Sequence, residues 1–348
     1  MLEIKEASGL SRGLLVNYTN LTRFWTLNER LEVSFNSFRQ GHEGNDYAFD
    51  AIDVESSVVL QGDVYRIKNV KKRFSEGTEY RLVHATHEFY AVMIDQPFHE
   101  ELTGTYEIGF IIGKLFNGTK FSFSIEGEFG KLTWENLGME NKSAIFDKVI
   151  KRHNAEYDIQ GTHVTIKHRI GRLTQNIFRY NYNVEGVEID IDTDNLTTAI
   201  RGYGHKSEEG SWAFPPFNYI SPKAEKWGQR WDDPVIDGRY HDAESMLNRL
   251  KSEIQDEPIV SVSFNYRQSR RFIFSNSDIE TLQRGEWWSF AHEPLDFFAE
   301  VRMISITDYP DDPTRSPQVE LSNKRADINR YNITLNKELR DLARQRYR

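Results

Sequence analysis

The chain has 348 residues, of which 38% are apolar, contains no cysteine and carries a formal net charge of −9. This length predicts two or more folding units, and the lack of cysteine excludes disulfides, thiolate metal sites and cysteine nucleophiles. No apolar run reaches the ~18–20 residues of a membrane-spanning helix, so we expect no membrane-spanning segment. The acidic balance disfavours wrapping around nucleic acid, and it suits a surface that DNA slides past.

Residues 1–100 predict a first β-barrel domain. Three runs are rich in β-branched and aromatic residues, as strands are, and they are Val58–Leu60, Val64–Val70 and Tyr80–Thr86. The pairs Gly62-Asp63 and Glu76-Gly77 lie between such runs. Dipeptides that contain one glycine and one acidic residue are typical of hairpin turns. We therefore expect the strands on either side of each dipeptide to pair antiparallel.

Residues 101–185 predict an inserted α+β subdomain. Two segments have the apolar period of a helix face, the first ending at Gly118 and the second capped by Asn141 or Ser143. The inward positions are Ile108, Ile111, Ile112, Leu115 and Phe116 in the first helix and Ile145, Phe146, Val149 and Ile150 in the second. Short strands at Thr162–His168 and Phe178–Tyr182 would complete the subdomain.

A second β-barrel domain is predicted from residues 186–206 together with residues 257–330. In its first part Val187, Ile189 and Ile191 alternate with Glu188, Asp190 and Asp192, as in a strand with one wet face. Residues 207–256 predict an insertion with a proline-rich loop and a helix capped by Asp242. The predicted fold class is α+β, mainly β, with two tube-like β-barrel domains and inserted α+β subdomains.

Residues 331–348 predict a C-terminal helix. One face carries Leu335, Leu339, Leu342 and Ala343, and the other face is charged. A short apolar seam of this kind can pack on its own domain, or it can begin a coiled coil on a symmetry axis. The second alternative would make these four residues oligomerisation contacts.

The sequence offers no clear catalytic or metal centre. His84 and His87 form an H-x-x-H in a predicted strand, where an offset of three places side chains on opposite faces. Asp190, Asp192 and Asp194 alternate along a strand and could bind a hard cation, although such a row is more often a solvated face. We therefore expect no catalytic residues, no metal and no cofactor.

Tryptophans allow two interpretations. Flat rings can form a platform for sugars, and they can equally be core or interface anchors. The candidates are Trp212, Trp227, Trp231, Trp287 and Trp288. Core or interface positions are the commoner use of such residues.

The order of several strand and turn motifs resembles the prophage endopeptidase tail family of phage and prophage tail proteins. The motifs are Val64–Val70, Tyr80–Phe89, Thr133–Asn141, Val164–Lys167, Tyr182–Gly186 and Ile220–Pro222. No single motif is specific, and their order and spacing over nearly the whole chain carry the resemblance.

The resemblance implies a tail-tip hub similar to the central baseplate hub of contractile-tailed phages. Such hubs are homotrimers with two tube-like barrels in each chain, which together continue the hexameric tail tube. The implied partners are the distal tail protein, the tape measure protein and the tail tube, and DNA passes through without specific binding. The implied location is the tip of the virion tail, after synthesis in the cytoplasm of the bacterial host.

In such a hub, Glu188, Asp190 and Asp192 are predicted channel-facing acids, because negative charge repels phosphate and lets DNA pass.

The family name includes an enzyme activity, which in longer relatives resides in an appended domain. The sequence has no cysteine and no His-x-His pair, so we expect a structural protein. The alternatives are a cell-wall endopeptidase or glycan hydrolase, and a carbohydrate-binding module of the tail tip.

Overall fold

A computed structural model describes residues 1–39, 41, 43–207, 209–238, 240–267, 282–312 and 314–322. The predicted helix over 331–348, with Leu335, Leu339, Leu342 and Ala343, lies outside the described residues, so its two alternatives stay open. The chain divides into two compact units. The first contains Met1–Val187 and the described parts of Ser263–Phe298 and Arg302–Leu321, and the second contains the described parts of Glu188–Val262, Ala299–Val301 and Ser322.

The described chain is mainly β, as predicted. Its strands are β1 Leu2–Lys5, β2 Ser11–Leu15, β3 Tyr18–Thr26, β4 Arg30–Phe38, β5 Ser57–Leu60, β6 Asp63–Ser75, β7 Thr78–His87, β8 Pro97–Tyr106, β9 Ser122–Glu126, β10 Leu132–Asn141, β11 Glu156–Gln160, β12 His163–Lys167, β13 Leu173–Arg179, β14 Val184–Asp192, β15 Ala199–Tyr203, β16 Phe217–Ile220, β17 Val235–Ile236, β18 Ile259–Tyr266, β19 Trp287–His292, β20 Phe297–Asp308 and β21 Gln318–Ser322. The helices are α1 Glu43–Asp50, α2 Glu88–Asp95, α3 Ile108–Phe116, α4 Lys142–Arg152, α5 Ala224–Trp227 and α6 Ala243–Glu253.

The main sheet of the first unit joins strands that the sequence assigned to two different barrels. Its order includes β21–β20–β3–β4–β7–β6–β5–β1–β2. Strands β20 and β3 are antiparallel, with Ser305 opposite Thr26. The pairings among the described strands do not close this sheet into a barrel, so the two closed barrels remain a prediction.

Two hairpins of this sheet turn in two residues. Between β6 and β7, Ser75 pairs with Thr78, so Glu76 and Gly77 form the predicted turn, and both have positive φ, 53° and 77°. Between β5 and β6, Leu60 pairs with Asp63. The turn is therefore Gln61-Gly62, one residue earlier than predicted. Asp63 already belongs to the strand ladder, and the favoured two-residue turn needs positive φ at both central residues.

The segment from α2 to β12 forms a layered α+β region with its own apolar core. Strands β8 and β10 pair antiparallel, and a second sheet has the order β11–β12–β9. All five predicted inward residues of α3, from Ile108 to Phe116, are buried. Helix α4 begins at the predicted cap Asn141, whose Oδ1 accepts the Ala144 N–H at 2.8 Å, and its four predicted inward residues are buried.

The second unit places a small sheet of order β16–β15–β17 against helix α6. Asp242 caps α6 as predicted, because its Oδ1 accepts the Ser245 N–H at 2.7 Å. Met246 and Leu250 are the buried residues of this helix. They pack so closely on Gly202 that a Cβ atom there would lie 2.8 Å from the Met246 Cγ, which explains the need for glycine in β15. No helix among the described residues is both long and apolar enough to cross a membrane.

Candidate functional site

The predicted channel-facing acids lie on strand β14. Glu188 and Asp190 are exposed, whereas Asp192 is half-buried and its Oδ1 accepts the Asp194 N–H at 2.7 Å. Within the described ranges, no lysine or arginine is in ion-pair contact with Glu188 or Asp190. These two carboxylates are therefore available to an outside partner. Whether they face a channel stays a prediction.

The apolar side of β14 is less well covered than its alternation predicts. Val187 and Ile189 are half-buried, but Ile191 is 56% exposed. The expectation of a single wet face is therefore wrong at the end of the strand, because the apolar cover stops before Ile191.

The histidines occupy separate structural positions. The side chain of His84 is 49% exposed and that of His87 is 1% exposed, on opposite faces of β7 as predicted. His87 begins α2, where its Nδ1 accepts the Phe89 N–H at 3.2 Å. His163 lies between the Ser122 and Ser124 hydroxyls, 2.9 Å from each. In the part of the chain that the structure describes, no three histidine or carboxylate groups are placed to hold a metal ion.

The tryptophans have mixed environments. Trp288 is 1% exposed and stacks on Phe178 at a centroid distance of 4.3 Å, so it is a core residue. Trp212 packs at an angle of 51° on Tyr203, and Trp231 is 52% exposed. Trp288 therefore has no surface for a sugar, and the other rings keep both interpretations.

An open groove of about 650 Å³ lies beside α3 and β9. Its aromatic lining consists of Phe110, Phe116, Phe121 and Phe123. Lys114 at this groove is paired with Glu100 at 2.6 Å, and the lining residues include no carboxylate or imidazole. The one titratable side chain in the lining is therefore Lys114, and it is held in an ion pair.

A buried ion pair forms a polar centre within the first unit. Glu156 and Arg302 have side chains that are each 7% exposed. Arg302 donates from Nη1 to Glu156 Oε1 at 2.6 Å and from Nη2 to Glu156 Oε2. It also donates to the carbonyl oxygens of Gly285 and Ile170, each at 2.9 Å. The Ile170 N–H donates to Glu156 Oε2 at 2.8 Å, so both charged groups are well supplied with partners.

The backbone next to this ion pair is packed without room for a side chain. Gly171 has a φ of +74°, and a Cβ atom there would lie 2.2 Å from the Gly285 carbonyl carbon. Only glycine combines this conformation with so close an approach. The tight fit holds the carbonyls of Ile170 and Gly285 where Arg302 can donate to both.

His153 is a buried titratable group at the end of α4. It is 9% exposed and lies near Phe129 and Trp134, at ring distances of 6.2 and 6.3 Å. Burial, and secondarily the charge of Arg152, lower the pKa of His153 to about 4. The folded chain therefore holds a neutral imidazole at neutral pH.

We expect His153 to lower the free energy of unfolding as the pH falls from 6.5 towards 4, because in that window the unfolded state binds the proton that the folded state refuses, a contribution of about 2–3 kcal/mol. Burial raises the pKa of Asp147 to about 6, which acts in the opposite direction, so the contribution of His153 is the difference between the wild type and a variant without the imidazole. Urea titrations at a series of pH values measure this slope. The variant His153→Phe should have a smaller slope than the wild type, and equal slopes would contradict the assignment.

Three family models match successive parts of the chain. The prophage endopeptidase tail N-terminal domain matches residues 3–87, the prophage endopeptidase tail domain matches residues 95–166, and the prophage endopeptidase tail matches residues 172–332. Comparison with curated protein sequences finds no match.

Solved structures of tail proteins are similar along nearly the whole chain. The prophage tail protein gp18 from Listeria monocytogenes EGD-e is 26% identical with a TM-score of 0.73, covering 94% of this chain and 95% of that one. The 43 kDa tail protein of prophage MuSo2 from Shewanella oneidensis is 11% identical with a TM-score of 0.65, covering 93% and 98%. An Escherichia coli component of the type VI secretion system is 11% identical with a TM-score of 0.52, covering 92% and 76%.

The matched family segments follow one another in order and together span most of the chain. The resemblance drawn from the strand and turn motifs is therefore confirmed. This chain belongs to the prophage endopeptidase tail family, a family of phage tail proteins.

Proposed function

We propose that the protein is a structural hub of the phage tail tip, which assembles as a homotrimer, closes the tail tube and gates the DNA channel. The observation that carries the proposal is the near-complete overlap with the Listeria prophage tail protein, 94% of this chain and 95% of that one. The type VI secretion component is itself described as similar to the T4 bacteriophage tail proteins gp27 and gp5. Similarity to both groups favours a role shared by tail-like machines.

The proposed partners follow from that role. The hub would contact the distal tail protein, the tape measure protein and the tail tube at the tip of the virion tail. DNA would pass through it without specific binding. We propose a structural rather than an enzymatic role, because the solved structures that are similar to nearly the whole chain are described as tail proteins. Cell-wall zymography tests the enzymatic alternative, and glycan-array binding tests the carbohydrate-binding alternative.

The trimer predicts a mass of three 40.8-kDa chains, about 122 kDa, in light scattering. Because association depends on concentration, the measurement should cover a wide concentration range.

Gold-labelled antibody against the protein should bind at the distal end of purified tails. Label along the tail shaft or on the capsid would contradict the proposed location.

The channel role predicts an effect of charge on DNA ejection. Replacing Glu188, Asp190 and Asp192 with lysine should slow ejection in an infection assay, because cations in the channel would bind phosphate. A control variant carries the same three charge reversals at exposed acids elsewhere, namely Glu101, Glu135 and Glu225. Unchanged ejection kinetics in the β14 variant would show that these acids do not face the channel.

A further inference from the structure

Strand β6 runs beyond its neighbour β5 and has a free edge near its hairpin turn. Strand β5 pairs only with Asp63–Arg66, whereas β7 pairs with β6 as far as Ser75. In the described part of the chain, no strand pairs with the other side of β6 from Asn69 to Ser75. We call this segment the cationic edge, because Lys71, Lys72 and Arg73 lie on it and are exposed.

Two of these cations have no acidic partner among the described residues. Lys72 lies 3.7 Å from Asp53, but Lys71 and Arg73 form no ion pair there. Since they are two residues apart on a strand, their side chains lie on the same face. Lysines on a free edge often only prevent aggregation. Protection against aggregation does not explain Phe74, which follows Arg73 and is 74% exposed. An edge that only had to avoid aggregation would carry a charged residue at this position instead of an exposed aromatic ring.

Strand β14 carries the complementary pattern. Among the described strands, β14 lies at the end of the strand order of its sheet, and its exposed acids Glu188 and Asp190 are also two residues apart. Residues at this spacing repeat every ~6.6–6.8 Å along any strand. The two cations and the two acids can therefore lie opposite one another when the strands pair.

We propose that the cationic edge of one copy pairs with strand β14 of a second copy, so that Lys71 and Arg73 lie opposite Glu188 and Asp190. The inference rests on the proposed trimeric function and assigns the surfaces that form it. The two edges differ, so the contact is head-to-tail, and repetition around a threefold axis closes a ring. Because each copy carries a net charge of −9, copies repel one another except where opposite charges meet, which favours this contact over others.

A second copy fits this edge better than nucleic acid does. Binding to nucleic acid depends on neutralising many phosphates with lysine and arginine, whereas the cationic edge offers two cations without an acidic partner among the described residues, on an acidic chain. The contact is an alternative to the channel-facing assignment of Glu188 and Asp190, because directly opposed residues of paired strands lie on one face of the sheet, and Lys71 and Arg73 would neutralise both acids there.

Charge reversal and its compensation test the contact by light scattering on the full chain. The double variant Lys71→Glu/Arg73→Glu should raise the concentration for half-assembly at least about tenfold. The double variant Glu188→Lys/Asp190→Lys should have the same effect, and the fourfold variant should assemble like the wild type. Lys151→Glu/Lys251→Glu is the control, because it changes the net charge equally at exposed positions outside both edges.

Failure of this contact and failure of the proposed trimer would give different experimental results. A wild-type trimer that persists in both double variants would overturn the contact and leave the trimer intact. Loss of assembly in both double variants without recovery in the fourfold variant would overturn the pairing with β14. A gel shift with duplex DNA that depends on Lys71 and Arg73 would assign the edge to nucleic acid instead. The proposed trimer itself would be contradicted if the wild-type chain is monomeric in light scattering and is also present as a single copy in purified tails.

Discussion

Replacing Arg302 with methionine is expected to lower the free energy of unfolding by about 3–5 kcal/mol. The change leaves the Glu156 carboxylate, whose side chain is 7% exposed, without its bidentate partner, and the cation that remains, Arg169, is 3.5 Å away and makes a single contact. It also leaves the carbonyl oxygens of Gly285 and Ile170 without the donors that Arg302 supplies. Urea-induced unfolding at neutral pH measures the loss.

An exposed ion pair of similar chemistry provides the control. Arg249 and Glu253 form an i,i+4 pair on α6, and each side chain is 41% exposed. Arg249→Met should cost less than about 0.5 kcal/mol, since water solvates both groups. The double variant Arg302→Met/Glu156→Gln should be less destabilised than Arg302→Met alone, because no buried charge remains. A loss below about 1 kcal/mol in Arg302→Met would refute the importance of this pair.

The second large effect is expected at the centre of the α+β region. Phe89 is 1% exposed and packs against five other aromatic rings at centroid distances from 5.2 to 6.3 Å. Phe89→Ala removes a buried ring and leaves a cavity, which costs about 3–5 kcal/mol. Thermal and urea unfolding should both record this loss.

Phe74 allows the same substitution on the surface. It is 74% exposed, so Phe74→Ala should change the stability of the monomer by less than about 0.5 kcal/mol. Equal losses in the two variants would mean that the Phe89 cluster is not the core of this region.

Local structure could be predicted well because its causes lie within a few residues. The buried face of α3 follows from the spacing of Ile108, Ile111 and Leu115, and the start of α4 follows from the capping side chain of Asn141. The prediction for the turn before β6 is one residue late, since the sequence alone does not say whether Asp63 belongs to the turn or to the strand ladder.

Long-range contacts could not be predicted from the same information. The pairing of Ser305 with Thr26 joins distant parts of the chain, and no local pattern specifies which strand becomes the neighbour of β3. Arg302 and Glu156 are ordinary charged residues in the sequence, and only the fold removes both from water. The acids of β14 are predicted from a local signal, which is their alternation with apolar residues, and their role stays a prediction.

The Arg302–Glu156 contact has a consequence for how such tails evolve. Glu156 lies in the matched segment 95–166 and Arg302 in the matched segment 172–332. Recombination that brought in a segment without the matching residue would leave the other half of the pair buried without its partner. Viable mosaics should therefore inherit both segments from one parent, or regain a matching partner, so this contact restricts where genomes can be cut and rejoined.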